Sequence, residues 1–366
     1  MPINANPIED RPLRLAYIGV GGIAAQHLRT LEKVREAVGG VDFVCGADIN
    51  PKALALAKEN HALKHAYEGP DAWRDMLEKH AGELDACVVC TPNDLHSEMT
   101  VGCLEAGLHT MVEKPMARTV AEGEAMLAAA TEAKRELVIG FQWRYHAESR
   151  YIKRQVDDGV LGDIVYTRVQ ALRRRGIPNW GTFGDKSKNG GGPMIDMGVH
   201  LLELAVYLMG THIPKPVAVS GQTWTYLGDK PDETENMWPN WDHTVYTVED
   251  LAVGHVRFAN GSSLVIESSY AAHIPDETND VQLMGTKGGA VWSKGEVYTD
   301  RNGFMQNLKP AYLRKTDIWQ EKLKHFIGVA RGERENISSG AEGLAVQKIL
   351  NGVYRAAEAG REVTFE

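Results

Sequence analysis

The stretch Leu13-Arg14-Leu15-Ala16-Tyr17-Ile18-Gly19-Val20-Gly21-Gly22-Ile23-Ala24 decides the fold of this chain. A short apolar run reads as a buried strand and stops at a glycine turn. Beyond it, Ala24, His27, Leu28, Leu31, Val34 and Val38 recur every three or four residues, which predicts a helix ended by Gly39-Gly40. Val41 to Ala47 then reads as a second strand, closed by Asp48. A Gly-x-Gly turn alone arises by chance. Between a strand and a helix, with an acid at the end of the next strand, it points to a dinucleotide pyrophosphate. Gly19 allows the tight turn, Gly21 lets the backbone approach the phosphates, and Ala24 still permits close packing of helix on strand. Gly22 and Ile23 bring the free N–H groups of the helix N-terminus to the same anion. Asp48 is suited to accept hydrogen bonds from the adenosine ribose and to repel a 2′-phosphate, and Ile49-Asn50 supply no arginine to reverse that. NAD is therefore expected over NADP, with Lys52 leaving NADP some room. The alternative for Asp48 is a helix cap ahead of Pro51.

Working outward, a helix is expected near Pro51 to Asn60, a strand at Leu84 to Cys90, a helix from about Leu95 to Ala106 and a strand at His109 to Val112. This alternation predicts a doubly wound α/β sheet, whose ligands bind beyond the carboxyl ends of the strands. Thr91, Pro92, Asn93 and His96 follow one such end, and Glu113, Lys114 and Pro115 follow another. Turn chemistry would account for Pro92, Asn93 and Asp94. It accounts less well for two charges, Glu113 and Lys114, at the mouth of a buried strand, which need a partner or a ligand.

After about residue 141 the pattern changes. Ile164–Ala171, Val217–Trp224, Val245–Phe258, Ser263–Ser269, Val281–Met284 and Ala290–Trp292 read as strands with few helices between them, and Asn260-Gly261 is a hairpin turn. A second, α+β domain with a largely antiparallel open sheet is expected. Ser339-x-x-Glu342 is a capping box opening a C-terminal helix that ends before Gly360. The expected organisation is a disordered tail over 1–12, a dinucleotide-binding domain over 13–141, and a substrate-binding and oligomerisation domain over 142–366.

Within the second domain, Gly190-Gly191-Gly192-Pro193 leads into a helix running to about Met209. Nearly all of its positions are apolar except Asp196, His200, Glu203 and Tyr207, four, three and four residues apart, which form one stripe. A solvent-facing stripe and a wet internal cavity both explain that spacing. The glycine run favours a cleft, because bare backbone allows close approach of a ligand.

The 366 residues suffice for two domains. Forty basic against forty-nine acidic side chains give a net charge of −9, which argues against nucleic acid or an anionic membrane surface as partner. No run approaches a membrane span, and Met1 to Pro12 lacks the apolar core of a secretion signal. Cys45, Cys87, Cys90 and Cys103 all lie early in the chain, which fits buried thiols in a reducing, cytoplasmic setting better than a disulfide framework. His61 and His65 lack the glutamate and third ligand of a zinc helix, so no metal is expected.

Taken together, the Gly19 loop, Thr91-Pro92-Asn93-x-x-His96, Glu113-Lys114-Pro115 and Asp196-x-x-x-His200 resemble the glucose-fructose oxidoreductase and inositol dehydrogenase (Gfo/Idh/MocA) family over almost the whole chain from Leu13. The resemblance implies a Rossmann domain followed by an open antiparallel sheet domain, a catalytic Lys114 with Asp196 and His200, and a cis peptide before Pro115. It also implies a cofactor contact at Trp143-Arg144 after Gln142, where the family usually has asparagine. Its members mostly oxidise sugars, cyclitols and related polyols, and commonly form homodimers or homotetramers through a sheet face. In that chemistry His200 would take the hydroxyl proton, Lys114 would donate to the oxygen, and Asp196 would hold the imidazole or a neighbouring hydroxyl. Arg173, at the head of an arginine run, is a candidate for an anionic substituent, and Trp180 for a sugar face, as are Tyr207, Trp224, Trp238 and Trp241. Two other classes answer to the same resemblance: a redox-neutral glycoside-cleaving enzyme that retains NAD, and a non-catalytic sugar-sensing regulator.

Overall fold

The computed structural model describes residues 11–210, 214–235 and 238–365. Most of the expected tail, Met1 to Asp10, lies outside them. Arg11 does not trail free, because its guanidinium pairs with Asp85 at 2.6 Å. The described chain forms two compact units.

The first unit takes residues up to Gln142 and again Asp317–Leu344. Its elements in chain order are β1 (Leu13–Ile18), α1 (Ala24–Ala37), β2 (Val41–Asp48), α2 (Pro51–His61), β3 (His65–Glu68), α3 (Ala72–His80), β4 (Ala86–Val89), α4 (His96–Glu105), β5 (His109–Val112), α5 (Val120–Ala133) and β6 (Leu137–Ile139). The six strands form a parallel sheet in the order β3-β2-β1-β4-β5-β6, the doubly wound order of a Rossmann fold. Short apolar strands such as β4, buried at every position, suit a sheet covered on both faces. The strand β3 and the helix α3 are additions to the sequence reading: β3 carries only half-buried or exposed side chains and has no apolar signature. Also unread were α5 and β6.

The second unit takes Trp143–Thr316 and Ala345–Glu366. Its elements are α6 (Ala147–Asp157), β7 (Ile164–Leu172), the short α7 (Lys186–Asn189), α8 (Val199–Leu208), β8 (Pro216–Trp224), β9 (Leu251–Phe258), β10 (Ser263–Ser269), β11 (Thr278–Gly285), β12 (Gly288–Val291), β13 (Glu296–Arg301) and β14 (Phe304–Leu308). The chain then returns to the first unit with α9 (Ile318–Ala330), enters α10 (Gly340–Ala359) and ends in β15 (Val363–Thr364). Residues 317–344, expected in the second domain, therefore group with the first. The nine-stranded sheet runs β14-β13-β12-β11-β7-β10-β9-β8-β15, antiparallel except for the β7–β10 pair. The Asn260-Gly261 turn joins β9 to β10 as expected, with Gly261 at φ 84°. Residues 245–250 are not strand, so β9 starts later than the apolar run suggested. The capping box of α10 is present, with Ser339 N–H donating to Glu342 Oε2 at 2.9 Å and Glu342 N–H to Ser339 Oγ at 3.3 Å.

Candidate active site

In the first unit the glycine loop joins β1 to α1. Gly19 has φ 82°, and a Cβ there would lie 2.6 Å from the carbonyl oxygen of Cys90, so only glycine fits. Gly21 differs. A Cβ on it would meet Ala53 at an ordinary 3.6 Å, so no packing within the protein demands glycine at this position. No side chain caps the first turn of α1. Asp48, half-buried at the end of β2, accepts the backbone N–H of Val20 at 2.8 Å and of Gly21 at 3.2 Å through one oxygen, and that of Asn50 through the other. The cap of α2 is Asn50, which accepts from Lys52 N–H at 3.0 Å, so the helix-cap alternative for Asp48 falls away.

At the next strand end, His96 is buried, with Nδ1 2.8 Å from the Pro115 carbonyl and Nε2 2.9 Å from the Thr91 carbonyl. It stitches the loop after β4 to the segment carrying Lys114. Burial pushes its pKa down, so the ring is neutral and donates to one carbonyl at a time. The peptide between Lys114 and Pro115 is cis. Lys114 is half-buried, whereas its neighbour Glu113 turns into the core. There the ammonium of Lys322, on α9, is bonded to Glu113 Oε1, and His27 Nε2 lies 3.0 Å from the same oxygen. Burial opposes the Glu113 carboxylate, but Lys322 and His27 hold its pKa well below the usual range. The sequence alone could not pair Glu113 with residues so far away. Cys90, His27 and Glu113 offer ligand atoms within 4.8 Å of one another, but the Lys322 ammonium already bonds that carboxylate. Among the polar atoms buried without a hydrogen-bond partner in this unit are Thr91 Oγ1 and Gln142 Oε1, both beside strand ends.

In the second unit, the Gly191-Gly192 run proves to serve packing. A Cβ at Gly191 would lie 2.2 Å from the Tyr354 hydroxyl, and one at Gly192 would lie 2.4 Å from the Glu249 carbonyl oxygen. Glu249 caps this entry, accepting Gly192 N–H at 2.9 Å and Met194 N–H at 3.3 Å. The first turn, Met194–Gly198, is π-helical, and only from Val199 does α8 take up α geometry. Asp196 lies in that widened turn, a feature frequent at functional sites. Solvent exposure does not explain the stripe. Glu203 is 0% exposed and pairs with Arg144 Nε at 2.6 Å, while Asp196, His200 and Tyr207 are half-buried. The Tyr270 hydroxyl donates to Asp196 Oδ2 at 3.1 Å. Trp143 stacks on His200 at 5.6 Å between ring centroids and on Trp292 at 5.1 Å, and meets His146 edge-on at 5.8 Å. Arg144 is buried, its guanidinium 4.7 Å from the Tyr207 ring centre. Arg173 lies over Trp238 at 4.5 Å and over Tyr270 at 5.9 Å. Trp180 is 52% exposed. Tyr270, Trp292 and Glu249 were not singled out from sequence; Tyr270 directly follows β10, the same strand-end signal that had marked Lys114.

Residues 13–141 match the family described as "Oxidoreductase family, NAD-binding Rossmann fold", and residues 149–291 match the "GFO/IDH/MocA C-terminal domain". The chain belongs to the GFO/IDH/MocA oxidoreductase family. It is 33% identical over 353 residues to D-glucoside 3-dehydrogenase of Escherichia coli, covering 96% of this chain and 97% of that protein. It is 23% identical to myo-inositol 2-dehydrogenase of Thermotoga maritima, covering 97% and 99%. The crystal structure of aldose-aldose oxidoreductase from Caulobacter crescentus, complexed with glycerol, superposes with a TM-score of 0.76 at 26% identity, covering 97% of this chain and all of that one. The GFO/IDH/MocA fold expected from the motifs is therefore the fold of this chain. It is a dehydrogenase/reductase with an NAD-binding Rossmann domain. Among the described residues no helix is long and apolar enough to cross a membrane.

Proposed function

We propose that this protein oxidises a secondary alcohol of a sugar, cyclitol or related polyol, with NAD as its cofactor. Gly21 carries the cofactor assignment: it stays glycine where packing within the protein leaves room for a side chain, beside Asp48 and the uncapped N-terminus of α1. Gly19, Gly21, Gly22 and Ile23 would hold the pyrophosphate and Asp48 the ribose. Thr91 Oγ1 and Gln142 Oε1, buried without partners, fit a polar ligand as well, next to Pro92 and Asn93. Bound NAD supplies the hydride acceptor. His200, its ring plane fixed by Trp143, takes the hydroxyl proton, while Lys114 donates to the oxygen as the carbonyl forms. Asp196, oriented by Tyr270, binds a neighbouring hydroxyl or the imidazole. A sugar substrate is supported by the names of the relatives and by the aromatic residues around Arg173. The side chains of Glu113, His96 and Arg144 are committed to protein partners, so their part in the site is to position neighbouring segments.

The same reading includes cytoplasmic operation, supported by four cysteines that form no disulfide, and a homodimer or homotetramer, supported by exposed Val165, Met284, Phe304 and Met305 on strands of the second sheet. Nicotinamide absorbance across a panel of sugars, glycosides, polyols and cyclitols tests the function. Formation of reduced cofactor with at least one member is expected. Tightly retained NAD with substrate consumed and no net reduction would instead favour the redox-neutral class.

A further inference from the structure

Past the ends of β7 and β10, the second unit carries an aromatic assembly that has no part in the proton and hydride steps themselves. Trp180 and Trp238 stack with ring centroids 5.9 Å apart and planes within 14°. Phe183 meets Trp180 edge-on at 6.2 Å. Arg173 covers Trp238 and is itself held by a 2.9 Å hydrogen bond to the Gly176 carbonyl. Gly176 permits this closeness, since a Cβ there would come within 2.6 Å of the Arg173 side chain and 3.0 Å of the Trp238 ring. The assembly is therefore built and fixed. Trp180 nevertheless stays 52% exposed, although it already contacts two aromatic rings.

Contacts within this unit connect the assembly to Asp196. Arg173 lies over both Trp238 and Tyr270, and Tyr270 bonds Asp196. From Asp196 outward, the side chains run Tyr270, Arg173, Trp238, Trp180. Arg174, next to Arg173, and His273, Asp276 and Glu277, beyond Tyr270, line a cleft of about 1050 Å³ together with Glu235. A flat apolar ring beside such a mixed, hydrogen-bonding rim is complementary to a hydroxylated ring, with one CH face to stack and edge hydroxyls to bond.

We propose that Trp180, backed by Trp238, is a second saccharide subsite, and that the substrates are glycosides whose aglycone is itself a sugar, such as the end of a disaccharide. The inference rests on the sugar-oxidising reading above. The reacting pyranose sits at Asp196 and His200, and the next one lies on Trp180. An aryl aglycone would use the ring face but not the rim.

The test measures kcat/KM of the full-length enzyme with NAD for methyl α- and β-D-glucosides, the corresponding phenyl glucosides, and α- and β-linked glucose disaccharides. At least one disaccharide is expected to exceed the methyl glucoside of the same anomer by about tenfold, mostly through KM, as one well-packed ring contact allows. In Trp180→Ala that ratio falls to about one, and Trp180→Phe restores part of it. A ratio near one in the unaltered enzyme, a ratio that survives Trp180→Ala, or a phenyl glucoside that outdoes every disaccharide overturns the proposal while leaving sugar oxidation intact. If no glucoside is oxidised, the substrate reading above fails on its own. Calorimetry with NAD present then decides the subsite: disaccharide binding that exceeds methyl glucoside binding and depends on Trp180 supports it, and equal or absent binding overturns it.

Discussion

Lys322 and Glu113, 209 residues apart in sequence, form an ion pair whose side chains are 1% and 5% exposed. The pair ties α9 to the end of β5, one residue before Lys114, whose backbone N–H approaches Glu113 Oε2 at 3.3 Å. A buried pair of this kind adds little net stability relative to an apolar pair, but breaking one half strands a charge.

Lys322→Met should therefore lower unfolding free energy by about 3–5 kcal/mol in urea titrations, and Lys322→Met with Glu113→Gln should recover part of the loss. A single variant within about 1 kcal/mol of the parent would show that the pair does not hold this corner of the fold.

The long-range pairing also marks where sequence reading stopped. The loop from Gly19 to Ala24 was legible because local spacing dictates it: glycine conformations, a 3.6-residue apolar period, and an acid at a strand end. The cap at Ser339 and the turn at Asn260-Gly261 were legible for the same reason. By contrast β3 is four residues with no buried apolar side chain, and β13 and β14 lie at a sheet edge with half of their positions exposed or nearly so, so periodicity had little to register. The Asp196 stripe was found by spacing, but its meaning came only from tertiary contacts. Gly191 and Gly192 had suggested open backbone for a ligand, and instead they admit Tyr354 and Glu249. No local pattern encodes a partner 57 residues away.

The proposed ribose contact makes cofactor choice depend on Asp48. Ile49 beside it is 74% exposed, so a longer polar side chain is accommodated there. The unaltered enzyme should prefer NAD over NADP in kcat/KM. Asp48→Ser with Ile49→Arg should shift that ratio toward NADP by about tenfold or more, through loss of a repulsive carboxylate and gain of a phosphate partner. Equal use of both cofactors by the unaltered protein would remove Asp48 from the ribose site.

Acid sensitivity has an identifiable source in His109. Its Nδ1 accepts the Glu136 N–H at 3.2 Å, and burial pushes its pKa from 6.5 to about 4. The unfolded chain then binds a proton that the folded chain refuses. The neutral imidazole's contribution is complete above about pH 6.5 and is lost as pH falls toward 4. The gap corresponds to about 3 kcal/mol at most. Burial lowers His27 and His96 in the same sense. Urea unfolding between pH 7 and 4.5 should show stability falling with pH, and His109→Asn should flatten part of that slope. Parallel profiles for the two proteins would exclude His109 as the titrating group.

Chemistry and binding separate at Lys114 and His200. Lys114→Met keeps the apolar stem and removes the charge that would stabilise the developing alkoxide, so turnover should fall by about 10² or more. NAD affinity should change little in calorimetry, because the proposed pyrophosphate and ribose contacts lie at Gly19 to Ile23 and at Asp48. His200→Asn should lower kcat as well, and higher pH should not restore it, since the missing group is the proton acceptor itself. Trp143 stacks on His200 at 5.6 Å, so a merely structural histidine would also leave a mark on stability. The two roles part in the pH profile: loss of the acceptor removes the acid limb of kcat, whereas loss of packing lowers Tm and leaves that limb in place. Near-normal turnover in both variants, on a substrate the parent oxidises, would strip Lys114 and His200 of their catalytic assignment.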